Sequence, residues 1–194
     1  MSRIARPCSI FFQQARSINY VTPPFLSGQS VLAAKQFNRE TVEYVLKAAK
    51  RAQDIVETKG YHTELQGKVL LNVFMEPSTR TSSSFQTAML RLGGTVVPVN
   101  ETSSSVKKGE TLEDTMKVIE NYADVIVLRH PEVGAADRAA AAVSIPVINA
   151  GDGPGEHPTQ ALLDCTCING ELGRYFLIKF HFILSHFFNF FSIF

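Results

Sequence analysis

Apolar residues recur along this chain at two spacings, and the two spacings predict alternating strands and helices. Short apolar runs predict strands at residues 69–75, 95–99, 125–128 and 145–149. Apolar positions three or four apart predict a helix that begins after Asn38, and further helices are predicted after Thr81, Gly109 and Gly134. This alternation indicates an α/β fold, a parallel four-stranded sheet with helices on both faces and right-handed crossovers.

Polar residues follow each of the predicted strands. They are residues 78–81, 103–110, 129–131 and 151–160, in chain order. Ligands of parallel sheets bind beyond the carboxyl ends of the strands, so we expect these clusters to face one crevice.

The first cluster predicts a phosphate site. A buried apolar run ends there in a turn rich in hydroxyl groups, which carries one arginine, Arg80. At a helix N-terminus the free backbone N–H groups, the hydroxyls and a guanidinium can converge on one anion. A helix cap of serine and threonine without any ligand is the alternative.

The other clusters contribute hydrogen-bond donors, each with a structural alternative. Lys107 and Lys108 tip a loop that can close over an anion or remain a solvated basic loop. Arg129 ends a strand and is directed either into the site or out to solvent. His157 and Gln160 share one predicted helical turn, although a lone histidine is often structural. Together the clusters predict a phosphate cradle beside donors for a polarised carbonyl, as an acyl phosphate requires.

The composition of the chain indicates which partners are not expected and in which type of compartment the protein lies. The 194 residues include 19 basic and 18 acidic side chains, so no global field favours nucleic acid or an anionic membrane. No Ser-His-Asp arrangement or metal-ligand cluster is visible in the sequence. Cys8, Cys165 and Cys167 have neither disulfide nor metal-ligand spacing, which predicts buried free thiols and a reducing, intracellular compartment.

The two ends differ from the middle of the chain. Residues 1–31 form an N-terminal extension, basic and without acidic residues, which suggests either an organellar presequence or a linker. Residues 175–194 hold eight of the 14 phenylalanines, yet Lys179, His181 and His186 make a membrane helix unfavourable. We expect this aromatic tail to be foreign to the fold, and a membrane-tethered module is the alternative. The intervening residues 32–174 are the predicted domain.

Four ordered motifs within that domain resemble aspartate carbamoyltransferase. They are residues 77–81 (PSTRT), 104–111 (SSVKKGET), 127–131 (VLRHP) and 149–164 (NAGDGPGEHPTQALLD). Ornithine carbamoyltransferase shares the first motif in altered form and differs in the lysine loop and in the last motif, so aspartate is the better assignment. The resemblance implies the carbamoyl phosphate domain of that family.

The resemblance also implies roles for individual residues. Arg80, Thr81, Arg129 and His157 would be catalytic. The implied substrate-binding set is Ser78, Thr79, Arg80, Thr81, Ser104, Lys108, Arg129, His157 and Gln160. Ser104 and Lys108 would enter a neighbouring subunit's site, which implies a homotrimer with shared active sites.

The implied reaction transfers the carbamoyl group of carbamoyl phosphate to L-aspartate in pyrimidine biosynthesis, with no metal or organic cofactor. Nucleic acid and membrane partners are not expected. The family's aspartate-binding second domain has no counterpart in these 194 residues, so we expect the chain alone to be inactive. A non-catalytic ligand-binding or dominant-negative subunit is an alternative. We expect a cytoplasmic location, or a mitochondrion or plastid if residues 1–25 form a presequence.

Overall fold

The computed structural model describes residues 26–100 and 110–172. Their four strands are β1 (Val69–Phe74), β2 (Thr95–Asn100), β3 (Val125–His130) and β4 (Val147–Asp152). They form one sheet in the order β2-β1-β3-β4, with parallel pairing throughout. The predicted α/β class and the four-stranded parallel sheet are confirmed.

Five α-helices accompany the strands in the described part of the chain. They are α1 (Arg39–Lys59), α2 (Thr79–Arg91), α3 (Leu112–Ile119), α4 (Ala135–Ala142) and α5 (Pro158–Leu172). Single 3-10 turns at Ala34–Gln36 and Glu120–Tyr122 precede α1 and follow α3.

Helices cover both faces of the sheet, because successive residues of a strand point to opposite sides. On one face Leu71 of β1 packs in a cluster with Met116 of α3 and Ala139 of α4. On the other face Leu70 packs in a cluster with Met89 of α2. Burial on both sides explains why the first strand is apolar without alternation.

Side-chain caps set the starts of two helices. Asn38 is the predicted cap of α1, and its Oδ1 accepts from Thr41 N at 2.9 Å. The helix predicted near Gly109 begins instead at Leu112, because the Thr111 hydroxyl accepts from Asp114 N at 3.1 Å. The helix predicted after Thr81, in contrast, starts earlier than expected, at Thr79.

The fourth strand lies further along the chain than its hydrophobic run predicts. It spans Val147–Asp152, and Asp152 pairs with His130 after an irregularity in the register. Val31 extends the sheet beside this strand: its N–H donates to Val147 O and its carbonyl accepts from Asn149 N, both at 2.8 Å. The Asn149 side chain donates to Leu32 O at 2.9 Å. The boundary at residue 32 stays a prediction.

The two described cysteines differ in exposure. Cys165 is buried between α5 and α1, in a cluster with Val42 and Leu46, and burial raises the pKa of its thiol. Cys167 is exposed. The prediction of buried thiols is therefore wrong for Cys167, because residues two apart on a helix face in different directions and only one can face α1.

Several predictions lie outside the described residues. They concern Cys8, the possible presequence, the 103–109 loop and the aromatic tail at 175–194. Within residues 26–100 and 110–172, no helix combines the length and the apolar character needed to cross a membrane.

Candidate functional site

Three neighbouring strands end at one crevice. The turn after β1 carries residues 78–81, Arg129 is the next-to-last residue of β3, and His157 follows β4. The chain leaves β1 toward β2 on one side and leaves β3 toward β4 on the other. The boundary between β1 and β3 is therefore a topological switch point, where α/β sheets bind ligands.

The N-terminus of α2 presents unused donors to this crevice. The first backbone bond of the helix joins Ser82 N to Ser78 O at 3.1 Å, so the N–H groups of residues 79–81 have no helical acceptor. The Ser78 side chain makes no capping hydrogen bond. Its hydroxyl is thus not engaged in a cap, which weakens the alternative that this turn serves the helix alone.

The arginine of the same turn is also available. Arg80 is exposed, and within the described residues its guanidinium has no hydrogen-bond or ion-pair partner. Thr81 is half-buried, and its carbonyl accepts from the Ser84 hydroxyl at 2.8 Å. A free guanidinium beside open backbone N–H groups is the arrangement that binds a phosphate.

A cleft of about 420 Å³ opens beside this turn. It lies between the ends of β1 and β2, next to the start of α2. Its lining residues are Phe74, Glu76, Pro77, Ser78, Thr79, Ser82, Ser83 and Asn100. The cleft is large enough for a small phosphorylated ligand.

Arg129 is held inside the crevice by two acceptors. Its Nε donates to Glu76 Oε1 at 2.6 Å, and its Nη2 contacts the same carboxylate oxygen. Its Nη1 donates to Ala150 O at 3.1 Å. The Arg129 side chain is 21% exposed and that of Glu76 is 26% exposed. The guanidinium therefore lies at the boundary between β1 and β3 and does not extend into solvent.

Gly151 lets Arg129 and His157 approach each other. Its φ is +116°, and a Cβ built there would lie 2.7 Å from Arg129 Nη1 and 3.4 Å from His157 Cδ2. A contact of 2.7 Å is too short for a side-chain carbon, so any other residue would require the Arg129 guanidinium to shift, and the φ of +116° would strain that residue as well. The cation and the imidazole consequently occupy neighbouring positions on either side of this residue.

His157 is electrically neutral near pH 7. Burial lowers the pKa of its imidazole, and the positive charge of Arg129 lowers it further. The backbone carbonyl of His157 accepts from Gln160 N at 3.1 Å, so His157 lies at the start of α5. A neutral imidazole can donate one hydrogen bond from its protonated nitrogen without adding charge.

A buried carboxylate shapes the loop that carries His157. Asp152, 3% exposed, accepts from Gly134 N at 2.8 Å and from Glu156 N at 2.5 Å. The backbone at Gly153 passes close to Pro131 O, and a Cβ added to Gly153 would lie 2.1 Å from that oxygen. These contacts fix the loop between β4 and α5 against the end of β3.

Comparisons with known proteins agree with this geometry. Residues 29–170 match the family model described as aspartate/ornithine carbamoyltransferase, carbamoyl-P binding domain. The chain belongs to this family. It is 51% identical over 148 residues to an aspartate carbamoyltransferase catalytic subunit of Thermococcus onnurineus, a match that covers 76% of this chain and 48% of that protein. It is 49% identical over 159 residues to aspartate carbamoyltransferase 1, chloroplastic, of Pisum sativum, covering 78% of this chain and 41% of that one.

A solved structure shows the same architecture. It is aspartate transcarbamoylase from Trypanosoma cruzi in complex with N-(phosphonacetyl)-L-aspartic acid, with a TM-score of 0.73 and 44% identity. The match covers 75% of this chain and 46% of that one. The chain thus spans about half the length of these relatives.

The predicted site residues stay a prediction, and the structure places several of them near one edge of the sheet. Ser78 and Thr79 line the cleft with Glu76, whose carboxylate pairs with Arg129. Arg129 and His157 lie on either side of Gly151, and neither is among the residues that line the cleft. Gln160 lies one turn along α5, is exposed, and donates from Nε2 to Asp164 Oδ1 at 2.9 Å. Ser104 and Lys108 lie outside the described residues. Within those residues no three His, Cys, Asp or Glu side chains are grouped so as to hold a metal ion.

Three residues of this family member's site were missed from the sequence. Glu76 holds Arg129, Asp152 holds the His157 loop, and Gly151 makes room for both side chains. A signal existed for Glu76, because an acidic residue inside a turn that binds an anion opposes the charge expected there. No local pattern distinguishes Asp152 or Gly151, whose partners are remote in sequence.

Proposed function

We propose that this chain is the carbamoyl phosphate-binding half of an aspartate carbamoyltransferase. One observation carries the proposal: the residues at the start of α2 line a cleft together with Glu76, Glu76 pairs with Arg129, and Arg129 and His157 lie on either side of Gly151. The names of the relatives support aspartate over ornithine as the acceptor.

The phosphate group would bind at the N-terminus of α2. Ser78 and Thr79 supply hydroxyls, the backbone supplies N–H groups, and Arg80 supplies a charge-assisted pair of hydrogen bonds. Among residues 26–100 and 110–172 the guanidinium has no partner, so binding breaks no ion pair with a described residue.

The carbamoyl oxygen would face Thr81, Arg129 and His157. Attack by the aspartate amine on the carbamoyl carbon forms a C–N bond and places negative charge on that oxygen. Breaking the bond to the phosphate oxygen then releases phosphate, which takes up the proton that the amine loses. The three side chains donate to the developing oxyanion, a contribution of about 2.7 to 4 kcal/mol per donor in comparable sites. The product would be N-carbamoyl-aspartate, a precursor for pyrimidine biosynthesis.

The complete enzyme would need more than this chain. Aspartate carries two carboxylates, and the family resemblance implies that a second domain, outside these 194 residues, binds them. Ser104 and Lys108 would complete the site of a neighbouring subunit, which makes a homotrimer the expected assembly. A non-catalytic, ligand-binding subunit of such a trimer is the second candidate function.

The compartment is a proposal on sequence grounds alone. A cytoplasmic location follows from the free thiols, and an organellar location would follow if residues 1–25 act as a presequence. Fusion of these residues to a fluorescent protein would distinguish the two locations.

Calorimetry with inorganic phosphate and with a phosphonate analogue of carbamoyl phosphate tests the proposed site. The full 194-residue chain should bind both ligands, and Arg80→Ala should abolish binding because a bidentate contact is lost. Arg91→Ala is the matched control: it removes the same charge from the opposite end of α2, where Arg91 bonds to Gly60 O at 2.6 Å. Equal binding by wild type and Arg80→Ala would refute the phosphate cradle.

A further inference from the structure

Asn72 places a buried amide in the middle of the apolar strand β1. Its side chain reaches α2, where Nδ2 donates to Ser82 Oγ at 2.9 Å, and the residue is 1% exposed. The same nitrogen lies 3.4 Å from Ser82 O, and a carbonyl oxygen can only accept. The nitrogen end of the amide therefore faces Ser82. Asn72 Oδ1 has no partner among the described residues, so the amide is kept in the core although half of it is unsatisfied.

The Ser82 hydroxyl accepts a second hydrogen bond from its own helix. Gln86 lies one turn further along α2, and its Nε2 donates to Ser82 Oγ at 2.9 Å. A hydroxyl oxygen has two lone pairs and carries one proton. Because two amide nitrogens occupy both lone pairs, this hydroxyl can engage a further group only by donating its proton.

No described residue accepts that proton. A serine or threonine inside a helix commonly donates to a carbonyl three or four positions earlier. The hydroxyls of Thr58, Ser84 and Thr166 each do so. Among residues 26–100 and 110–172, the Ser82 hydroxyl takes part in hydrogen bonds only as an acceptor. Its proton is therefore available to a ligand.

Ser82 also lies at the cleft beside the start of α2. It lines this cleft together with Ser78 and Thr79. Side chains of an α-helix lean toward the N-terminus of the helix, which in α2 is the end that carries the unused backbone N–H groups. A hydroxyl that can only donate is suited to an anion at this position.

We propose that the Ser82 hydroxyl is a further donor to a phosphate group bound at the start of α2, and that Asn72 and Gln86 are positioning residues that hold it as a donor. This inference rests on the proposed function, since it concerns the phosphate of the same site. Ser82 is outside the set of binding residues that the family resemblance implies. The ligand class is a phosphate or a phosphonate, whose oxygens accept charge-assisted hydrogen bonds.

Calorimetry with inorganic phosphate on the full chain tests the role of Ser82. Ser82→Ala removes the donor, and Ser82→Cys keeps a side chain of similar shape whose thiol is only a weak donor. Both substitutions should weaken phosphate binding about tenfold, as expected when a hydrogen bond to a charged group is lost. Ser84→Ala is the matched control, because the Ser84 hydroxyl already donates to Thr81 O at 2.8 Å. It should leave the phosphate affinity unchanged.

A second pair of variants tests the positioning by Gln86. Gln86→Glu replaces the donating nitrogen with an oxygen, and the new carboxylate would accept the Ser82 proton in competition with phosphate. Thr87→Glu adds the same charge at the next position of α2, which is exposed and points in a different direction. Gln86→Glu should weaken phosphate binding about fivefold more than Thr87→Glu. A purely structural role of Gln86 would lower the melting temperature of the free protein without producing this difference in affinity.

The outcomes separate this inference from the proposed function. Failure of the wild type to bind phosphate would overturn both. Phosphate binding by the wild type together with an unchanged affinity in folded Ser82→Ala would overturn the role of Ser82 alone. If the Ser82 variants do not fold, the pair of glutamate variants decides, and equal phosphate affinities in Gln86→Glu and Thr87→Glu would overturn the inference.

Discussion

The Arg129 guanidinium is paired with the Glu76 carboxylate across the boundary between β1 and β3, with Nε 2.6 Å from Oε1. A carboxylate at this point competes with an anionic ligand for the same guanidinium. Glu76 therefore holds Arg129 in position and engages part of its five N–H donors. Because Glu76 also lines the cleft beside α2, its negative charge opposes an anion bound there.

Glu76→Gln should accordingly tighten the binding of inorganic phosphate to the full chain. We expect a gain of about fivefold, or about 1 kcal/mol, since the pair is partly exposed and its energy is partly screened. Calorimetry measures the change. Glu132→Gln is the control, because it removes an equal charge from the end of β3, where Glu132 pairs with Arg138. Weaker phosphate binding by Glu76→Gln would mean that the carboxylate chiefly orients Arg129.

Gly151→Ala should weaken both the fold and the site. The φ of +116° strains any other residue, which costs about 1 to 3 kcal/mol. The new Cβ would lie 2.7 Å from Arg129 Nη1 and would therefore displace the guanidinium. Gly67→Ala is matched in backbone strain, with a φ of +81°, and meets no atom within 4 Å. Thermal unfolding should show a loss of stability in both variants, and only Gly151→Ala should also bind a phosphonate analogue of carbamoyl phosphate less tightly, because Arg129 is proposed to face the carbonyl oxygen. Equal binding of this analogue by the two variants would exclude the contact with Arg129.

The stability of the domain should fall as the solution is acidified. Burial is the main cause that lowers the pKa of both His130 and His157, so the fold favours their neutral forms. The unfolded chain takes up these protons near its ordinary pKa of about 6.5, while the folded chain does not. The stabilising contribution is thus complete above about pH 6.5 and is lost as the pH falls toward the lowered values.

Melting temperatures measured between about pH 7.5 and pH 5 would reveal this dependence. Replacing His130, whose Nδ1 accepts from Glu132 N at 3.1 Å, by glutamine should flatten the profile, and His157→Gln should flatten it independently. Profiles that keep the wild-type slope in both variants would assign the acid sensitivity to other groups.

Catalysis should require a second domain. Holding both reactants in reactive geometry contributes about 7 to 11 kcal/mol in well-oriented reactions, and a crevice without bound aspartate forfeits much of that. We expect no detectable N-carbamoyl-aspartate from the 194-residue chain. Replacing residues 175–194 with a second domain from a family member should restore transfer of radiolabelled carbamoyl groups. Turnover by the chain alone that disappears in His157→Ala would show that the second domain is dispensable.

The amino-acid sequence by itself determined the elements and the chemistry of the first turn. The strands of the sheet, the Asn38 cap and the hydroxyl-rich turn at residues 78–81 depend on spacing within a few residues, and local spacing is visible in one sequence. The four motifs also sufficed to assign the family, because they occur in order within one domain.

Only the tertiary structure decided which of these features meet. The strand order places β1 beside β3, and that adjacency creates the pair of Glu76 and Arg129, 53 positions apart in the chain. The close approach at Gly151 involves the Arg129 side chain on another strand. The difference in exposure between Cys165 and Cys167 arises from the position of α1. Such contacts join residues that are remote in sequence, and their geometry exists only once the helices and strands have packed.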